Sequence, residues 1–194
     1  MFLLGITGGS GSGTTTVGEL LTKYGFFFIN ADNVYHNLLE NDQPLKERIF
    51  SAFCGVRTSD GSVDRRALAK LVFLDTDKLK LLNSITHGAV IKQIKAMMPA
   101  SGPVAVEAVA LYESGMAEEC DFVLGVTCDP KVRVERIMSR DVISEEEAYT
   151  RINAQHGDDF YVLNCNSVID NSGSPERLGK KIGSLVRALK KRYD

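Results

Sequence analysis

Short unbroken apolar runs alternate along this chain with longer stretches in which apolar residues recur every three or four positions. Phe2 to Thr7 is the first run. With no polar alternation, it predicts a parallel strand buried on both faces, and it ends in glycines. Thr14 to Tyr24 then places Val17, Leu20 and Leu21 on one helical face, and Gly25 follows at the left-handed position that ends helices. Phe26 to Ile29 predicts a second buried strand, Val104 to Val109 a third, Phe122 to Cys128 a fourth, and Ser167 to Ile169 a short last one. From Asp32 to about Met98 the pattern is helical. Val34, Leu38 and Leu39 form one stripe, and Leu68, Leu71, Val72, Leu79, Leu82 and Ile85 form others, with a turn at Asp60-Gly61-Ser62. Further helices are predicted over Lys131 to Arg140, after Ser144 with Glu147 at capping-box spacing, and from Ser174-Pro175 onward. Strands alternating with helices predict an α/β fold of three layers, a parallel sheet covered on both faces. The stretch of about 33–100 reads as a helical insertion within it.

Composition narrows the partners. The 194 residues suffice for one domain with its own core, and the net charge of −2 does not point to nucleic acid. No apolar run reaches 18 residues, so no membrane span is expected. Met1 to Ile6 is too short, and lacks the cationic start, for a signal peptide. Cys54, Cys120, Cys128 and Cys165 show no metal-binding spacing, so free thiols in a reducing cytoplasm are expected.

The candidate chemistry begins where the first strand ends, at Gly8-Gly9-Ser10-Gly11-Ser12-Gly13-Thr14-Thr15-Thr16. Phosphate-binding loops space two glycines by four residues, then place Lys and a hydroxyl residue. Gly8, Gly13 and Thr15 fit that frame, but Thr14 stands where Lys belongs. Glycines let backbone N–H groups approach phosphate oxygens, and the helix starting at Thr14 adds its positive end. Thr15 offers a hydroxyl to a magnesium ion. The loop and its strand–helix setting predict a nucleoside triphosphate ligand. The missing lysine leaves two readings open: another cation fills the space, or nucleotide is bound with little turnover.

Further segments, in order, carry a family pattern. They are Gly5-Ile6-Thr7-Gly8-Gly9 with Gly11-Ser12-Gly13, Ile29-Asn30-Ala31-Asp32, and Val63-Asp64-Arg65 with Leu68 and Val72-Phe73. Ile85-Thr86-His87, Leu111-Tyr112-Glu113-Ser114-Gly115, Arg136 with Arg140, Arg151 with Gln155, and Ile169-Asp170-Asn171-Ser172-Gly173 follow. Over nearly its whole length the chain resembles the dephospho-CoA kinases. The resemblance implies a phosphate-loop kinase fold with an acceptor-binding insertion at about 33–100 and a short lid at about 140–160. It implies ATP and magnesium, and phosphorylation of the 3′-hydroxyl of dephospho-CoA. It makes Asp32 the base, with a helix N-cap as the plainer alternative. Arg140 becomes a lid arginine over the phosphates and the first candidate to replace the lysine, unless it is an exposed helix-end residue. Arg136 and Asn171 fall on the nucleotide side, with a structural ion-pair partner and a plain turn residue as their alternatives. Arg65 and His87 fall on the acceptor side, where His87 either hydrogen-bonds the acceptor or holds the insertion in place.

Departures from the family pattern are Thr14 for Lys, Asn30 for Asp, His36 for Arg, Gly88 for Pro, Glu107 and Val109 for Asp and Pro, and Tyr161 for Lys. His36 carries partial charge at best and cannot form a bidentate fork, so it reads as a solvated histidine on a helix and only a weak stand-in for arginine. They motivate two alternatives: a catalytically weakened nucleotide- or CoA-binding homologue, and a kinase for another small hydroxyl acceptor.

Overall fold

The structure is a computed structural model that describes residues 1–73 and 75–192; Leu74, Tyr193 and Asp194, and the side chains of Phe73 and Arg192, lie outside it. The chain divides into two compact units, Met1–Asn30 with the chain from Pro99 onward, and Ala31–Met98.

In the first unit, five strands among the described residues form one parallel sheet: β1 (Phe2–Thr7), β2 (Phe27–Asn30), β3 (Pro103–Glu107), β4 (Phe122–Thr127) and β5 (Ser167–Asp170), in the order β2-β3-β1-β4-β5. All six residues of β1 and of β4 are buried, as expected for central parallel strands that read as continuous apolar runs. β1 lies between β3 and β4, with Ile6 in register with Glu107 and with Leu124. The order reverses around β1, so the loop after it opens at the sheet's switch point, at the strands' carboxyl ends.

Helix α1 (Thr14–Thr22) turns Val17 and Leu21 into the main core. It crosses close to the sheet because residue 18 is glycine: a side-chain carbon there would stand 2.1 Å from the Phe28 ring. The last helix of this unit spans Pro175–Leu189, and its Leu178, Ile182, Val186 and Leu189 join the same core. Each such fully buried side chain contributes about 1.5–3 kcal/mol. A second, smaller cluster joins Val134, Ile137 and Ala148, from the helices Pro130–Asp141 and Glu145–Asn153. The expected capping box is present: Ser144 and Glu147 exchange side-chain-to-backbone bonds.

The second unit is helical: α2 (Ala31–Asn41), α3 (Gln43–Ala52), α4 (Arg65–Phe73) and α5 (Thr76–Met97). In chain order the helices already named are then α6 (Pro130–Asp141), α7 (Glu145–Asn153), with α8 (Asp158–Asn164) next and α9 (Pro175–Leu189) last. Asp42 caps α3 by accepting from the Leu45 N–H, and Asp75 caps α5. Val34, Leu38, Leu68, Val72, Leu82 and Ile85 are buried, whereas Leu79, expected in the same stripe, is exposed. The turn at Asp60-Gly61-Ser62 closes a short bridge between Arg57 and Val63, with Gly61 at φ 83°.

Candidate active site

The loop between β1 and α1 is drawn tight by its own bonds and by its neighbours. The Ser12 N–H donates to the Gly9 carbonyl at 3.0 Å, and Gly11 and Gly13 take φ of 79° and 92°, where a side chain would be strained. A side-chain carbon at Gly8 would lie 2.3 Å from the Val126 carbonyl oxygen. Gly13 caps α1 without a side chain, so no side-chain group covers the N–H groups of the first turn. The Ser12 hydroxyl is buried with no hydrogen-bond partner among the described residues. A concavity of glycines, uncapped amides and an unspent buried hydroxyl suits a polyphosphate.

Glu107, buried at the end of β3, gathers the polar residues at the foot of this loop. It accepts from the Thr14 hydroxyl at 2.5 Å, from the Thr15 hydroxyl at 3.0 Å, and from the Asn30 amide. Thr14 is therefore turned into the protein and anchors the start of α1. Thr15 is exposed while bonded to the same carboxylate, which places a hydroxyl and a carboxylate oxygen side by side. Those are the hard oxygen donors that a magnesium ion takes.

The far wall of the loop is α6. Arg136, half-buried, donates to the carbonyls of Gly11 at 3.2 Å, Ser12 at 3.4 Å and Asn171 at 3.1 Å. Asn171 is buried and sends its amide to the Ser12 carbonyl at 2.8 Å. Both brace the loop's backbone. Arg140 is exposed and held by Asp141 through two bonds of 2.8 and 2.9 Å; Asp141 also accepts from Arg151. The bond from Arg140 holds the Asp141 carboxyl below its usual range. Two further residues hold the loop: Gln155, which the sequence offers only as part of a family motif, and Arg133, which no motif singles out. Gln155 accepts from the Ser10 N–H at 2.7 Å, and Arg133 donates through Nε to the Ser10 carbonyl at 2.9 Å. Arg133 precedes Arg136 by three positions and Arg140 by seven, a helical face shared by three arginines, and that spacing was the available cue.

In the helical unit, Tyr35, His36, Leu39, Asp64, Arg65 and Leu68 help line a groove of about 720 Å³. Arg65 donates to His36 Nε2 at 2.6 Å, so His36 presents a lone pair there and carries its proton on Nδ1. Burial and the Arg65 charge both push the His36 pKa down, so it is neutral near pH 7. His36 is thus a half-buried partner of Arg65 and not a solvated residue on a helix. Asp32 is exposed in the first turn of α2, which starts at Ala31, so it lies inside the helix and not at its N-cap. His87 is half-buried on α5 and is not among the described residues lining the groove.

Residues 2–176 match the family model described as dephospho-CoA kinase. A dephospho-CoA kinase from Carboxydothermus hydrogenoformans is 34% identical over 194 residues, covering 97% of this chain and 94% of its own. The chain belongs to the dephospho-CoA kinase family. Among solved structures, the Thermus thermophilus protein TT1252 is 30% identical with a TM-score of 0.83, and a Campylobacter jejuni dephospho-CoA kinase is 25% identical with a TM-score of 0.68. Each comparison covers 97% of both chains. As a member of this family the chain is a kinase, a phosphotransferase acting on an alcohol group.

Within the dephospho-CoA kinase frame, the departures at Thr14, Asn30 and Glu107 prove to be one site. Thr14 in place of Lys removes a positive charge and Asn30 in place of Asp a negative one, so the three-residue set keeps its net charge, and its remaining carboxylate is Glu107, one carbon longer than the family's Asp. Tyr161 is buried beside Gly125 of β4, and burial lifts its hydroxyl to about 12. Among the described residues no helix is long and apolar enough to cross a membrane.

Proposed function

We propose that this chain transfers the γ-phosphoryl group of ATP to the 3′-hydroxyl of dephospho-CoA, releasing ADP and CoA in the cytoplasm. The observation that carries the reading is the glycine concavity between β1 and α1, with its uncapped amides and buried Ser12 hydroxyl. The loop from Gly9 to Thr16 surrounds the β- and γ-phosphates with backbone donors, and Arg136 and Asn171 hold that backbone in shape. Thr15 and Glu107 are the residues that would hold a magnesium ion, which supplies positive charge to the phosphate oxygens when bound.

Asp32 takes the acceptor's proton. The 3′-oxygen forms its bond to the γ-phosphorus as the bond from that phosphorus to the bridging oxygen of ADP breaks. Arg65 supplies a cation to the acceptor's phosphate groups, its guanidinium oriented by neutral His36. His87 belongs to the acceptor side through its motif. Residues 140–160 act as the lid, limiting water and wasteful ATP hydrolysis. The capping box at Ser144 keeps the start of α7 ordered, and Arg140 serves through its network with Asp141 and Arg151.

The test is turnover of purified protein with ATP, magnesium and dephospho-CoA, beside a panel of nucleosides and CoA precursors. Dephospho-CoA is expected to be the preferred acceptor, and Asp32→Asn to lower kcat about 10²–10⁴-fold while ATP still binds. Binding of both ligands without product would mark a weakened homologue. Preference for another acceptor would move the substrate assignment.

A further inference from the structure

A buried arginine lies against the phosphate loop, in a chain whose loop has lost its lysine. Arg133 is only 4% exposed. Its guanidinium is pressed against Gly9: a side-chain carbon there would meet Nη2 at 2.2 Å and Cζ at 2.8 Å, so glycine at 9 is what admits it. Nε is spent on the Ser10 carbonyl, but Nη2 is buried with no hydrogen-bond partner among the described residues. The counter-charge is weak. Asp158 stands 3.8 Å from Nη1, beyond hydrogen-bond range, with nearly half of its side chain in solvent. Burial raises the Asp158 pKa, against the lowering influence of Arg133.

Tethering Ser10 needs only Nε. A neutral side chain could do that without the desolvation cost of a buried, under-paired guanidinium. Arg136, the other arginine against the loop, spends its donors on three carbonyls and one thiol. Neutral acceptors leave both arginines charged, but Arg133 is the one fully buried with a donor unused and a distant counter-charge. Its weakly compensated charge is therefore fixed next to the loop at Gly9 and Ser10, in a low-dielectric setting where it acts over distance.

We propose that Arg133 is the cation replacing the loop lysine: a positioning residue that attracts the polyphosphate through a fixed charge at Gly9–Ser10. The inference rests on the reading that this loop holds the ATP phosphates. It displaces Arg140 as first candidate, because Arg140 is exposed and engaged with Asp141. A charge acting on phosphates should matter more as phosphates are added, whereas a brace for the loop should not count them.

The experiment measures dissociation constants of AMP, ADP and ATP by calorimetry for the wild type, Arg133→Lys, Arg133→Gln and Asp158→Asn, with thermal melts of the free proteins. Arg133→Gln should weaken ATP on the order of tenfold and AMP less than about twofold, with ADP between, and Arg133→Lys should restore most of the ATP affinity. Asp158→Asn, on a half-exposed residue, should tighten ATP by about two- to threefold and leave AMP unchanged. It decides the matter if Arg133→Gln does not fold. Equal loss for all three nucleotides, equal loss in the Lys and Gln variants, or an Asp158→Asn variant indifferent to phosphate number would overturn the proposal. A wild type that binds none of the three nucleotides would instead defeat the nucleotide reading itself.

Discussion

At the scale of single residues, the absent lysine is answered by changes around it. Thr14 is buried and donates to Glu107, so a lysine placed there would lose that bond and set its ammonium against the Glu107 carboxylate. With Arg133 intact, Thr14→Lys should change ATP affinity less than roughly threefold. In the Arg133→Gln background the same substitution should recover most of what was lost, because the two cations serve one ligand. Calorimetry on the single and double variants checks this; additive effects would mean that the two positions act independently. The sequence did not reveal Arg133 because arginines are rarely buried, and a helix bearing three of them reads as a solvated face. Asn171, expected near the nucleotide, is legible only as a turn residue; its bond to the Ser12 carbonyl links positions far apart in the chain. His36 misled for a related reason. Its partner Arg65 lies 29 positions away, on another helix.

At the scale of elements, strands were legible and their ends nearly so. β1 and β4 are buried on both faces and therefore uniformly apolar. β3 is expected to reach Val109 but ends at Glu107: the Ala108 N–H makes a last bond to the Ile6 carbonyl at 3.0 Å, and the Val109 carbonyl then accepts from the Thr7 side chain and not from a strand backbone. The helical stretch was visible only as a class. Its division into α2 to α5 depends on caps at Asp42 and Asp75, which are ordinary residues without the contacts they make. One element boundary carries strain. Val142, at the end of α6, has φ 54°, the only positive φ on a non-glycine among the described residues, and its side chain is 90% exposed. A β-branched residue in that conformation is costly and here buries nothing in return. Val142→Asn should stabilise the fold by about 0.5–1 kcal/mol, read as a melting temperature about 2 °C higher. An unchanged or lower melting temperature would show that this turn is not strained.

At the scale of the whole molecule, the helical unit Ala31–Met98 is one continuous segment, inserted between the end of β2 and the start of β3. The sheet is therefore completed only after the insertion returns. The family pattern could be followed across both units because it rests on short motifs at element ends. The local departures at Thr14, Asn30 and Glu107 converge on one carboxylate and keep the fold that the motifs imply. Product analysis tests the account most directly: ATP and dephospho-CoA are incubated with the purified protein, and ADP and 3′-phosphorylated product are quantified by chromatography and phosphorus NMR. The account predicts CoA and ADP in equal amounts, with the new phosphate on the ribose 3′-oxygen. ADP released without CoA, or no ADP at all from a folded protein, would contradict it.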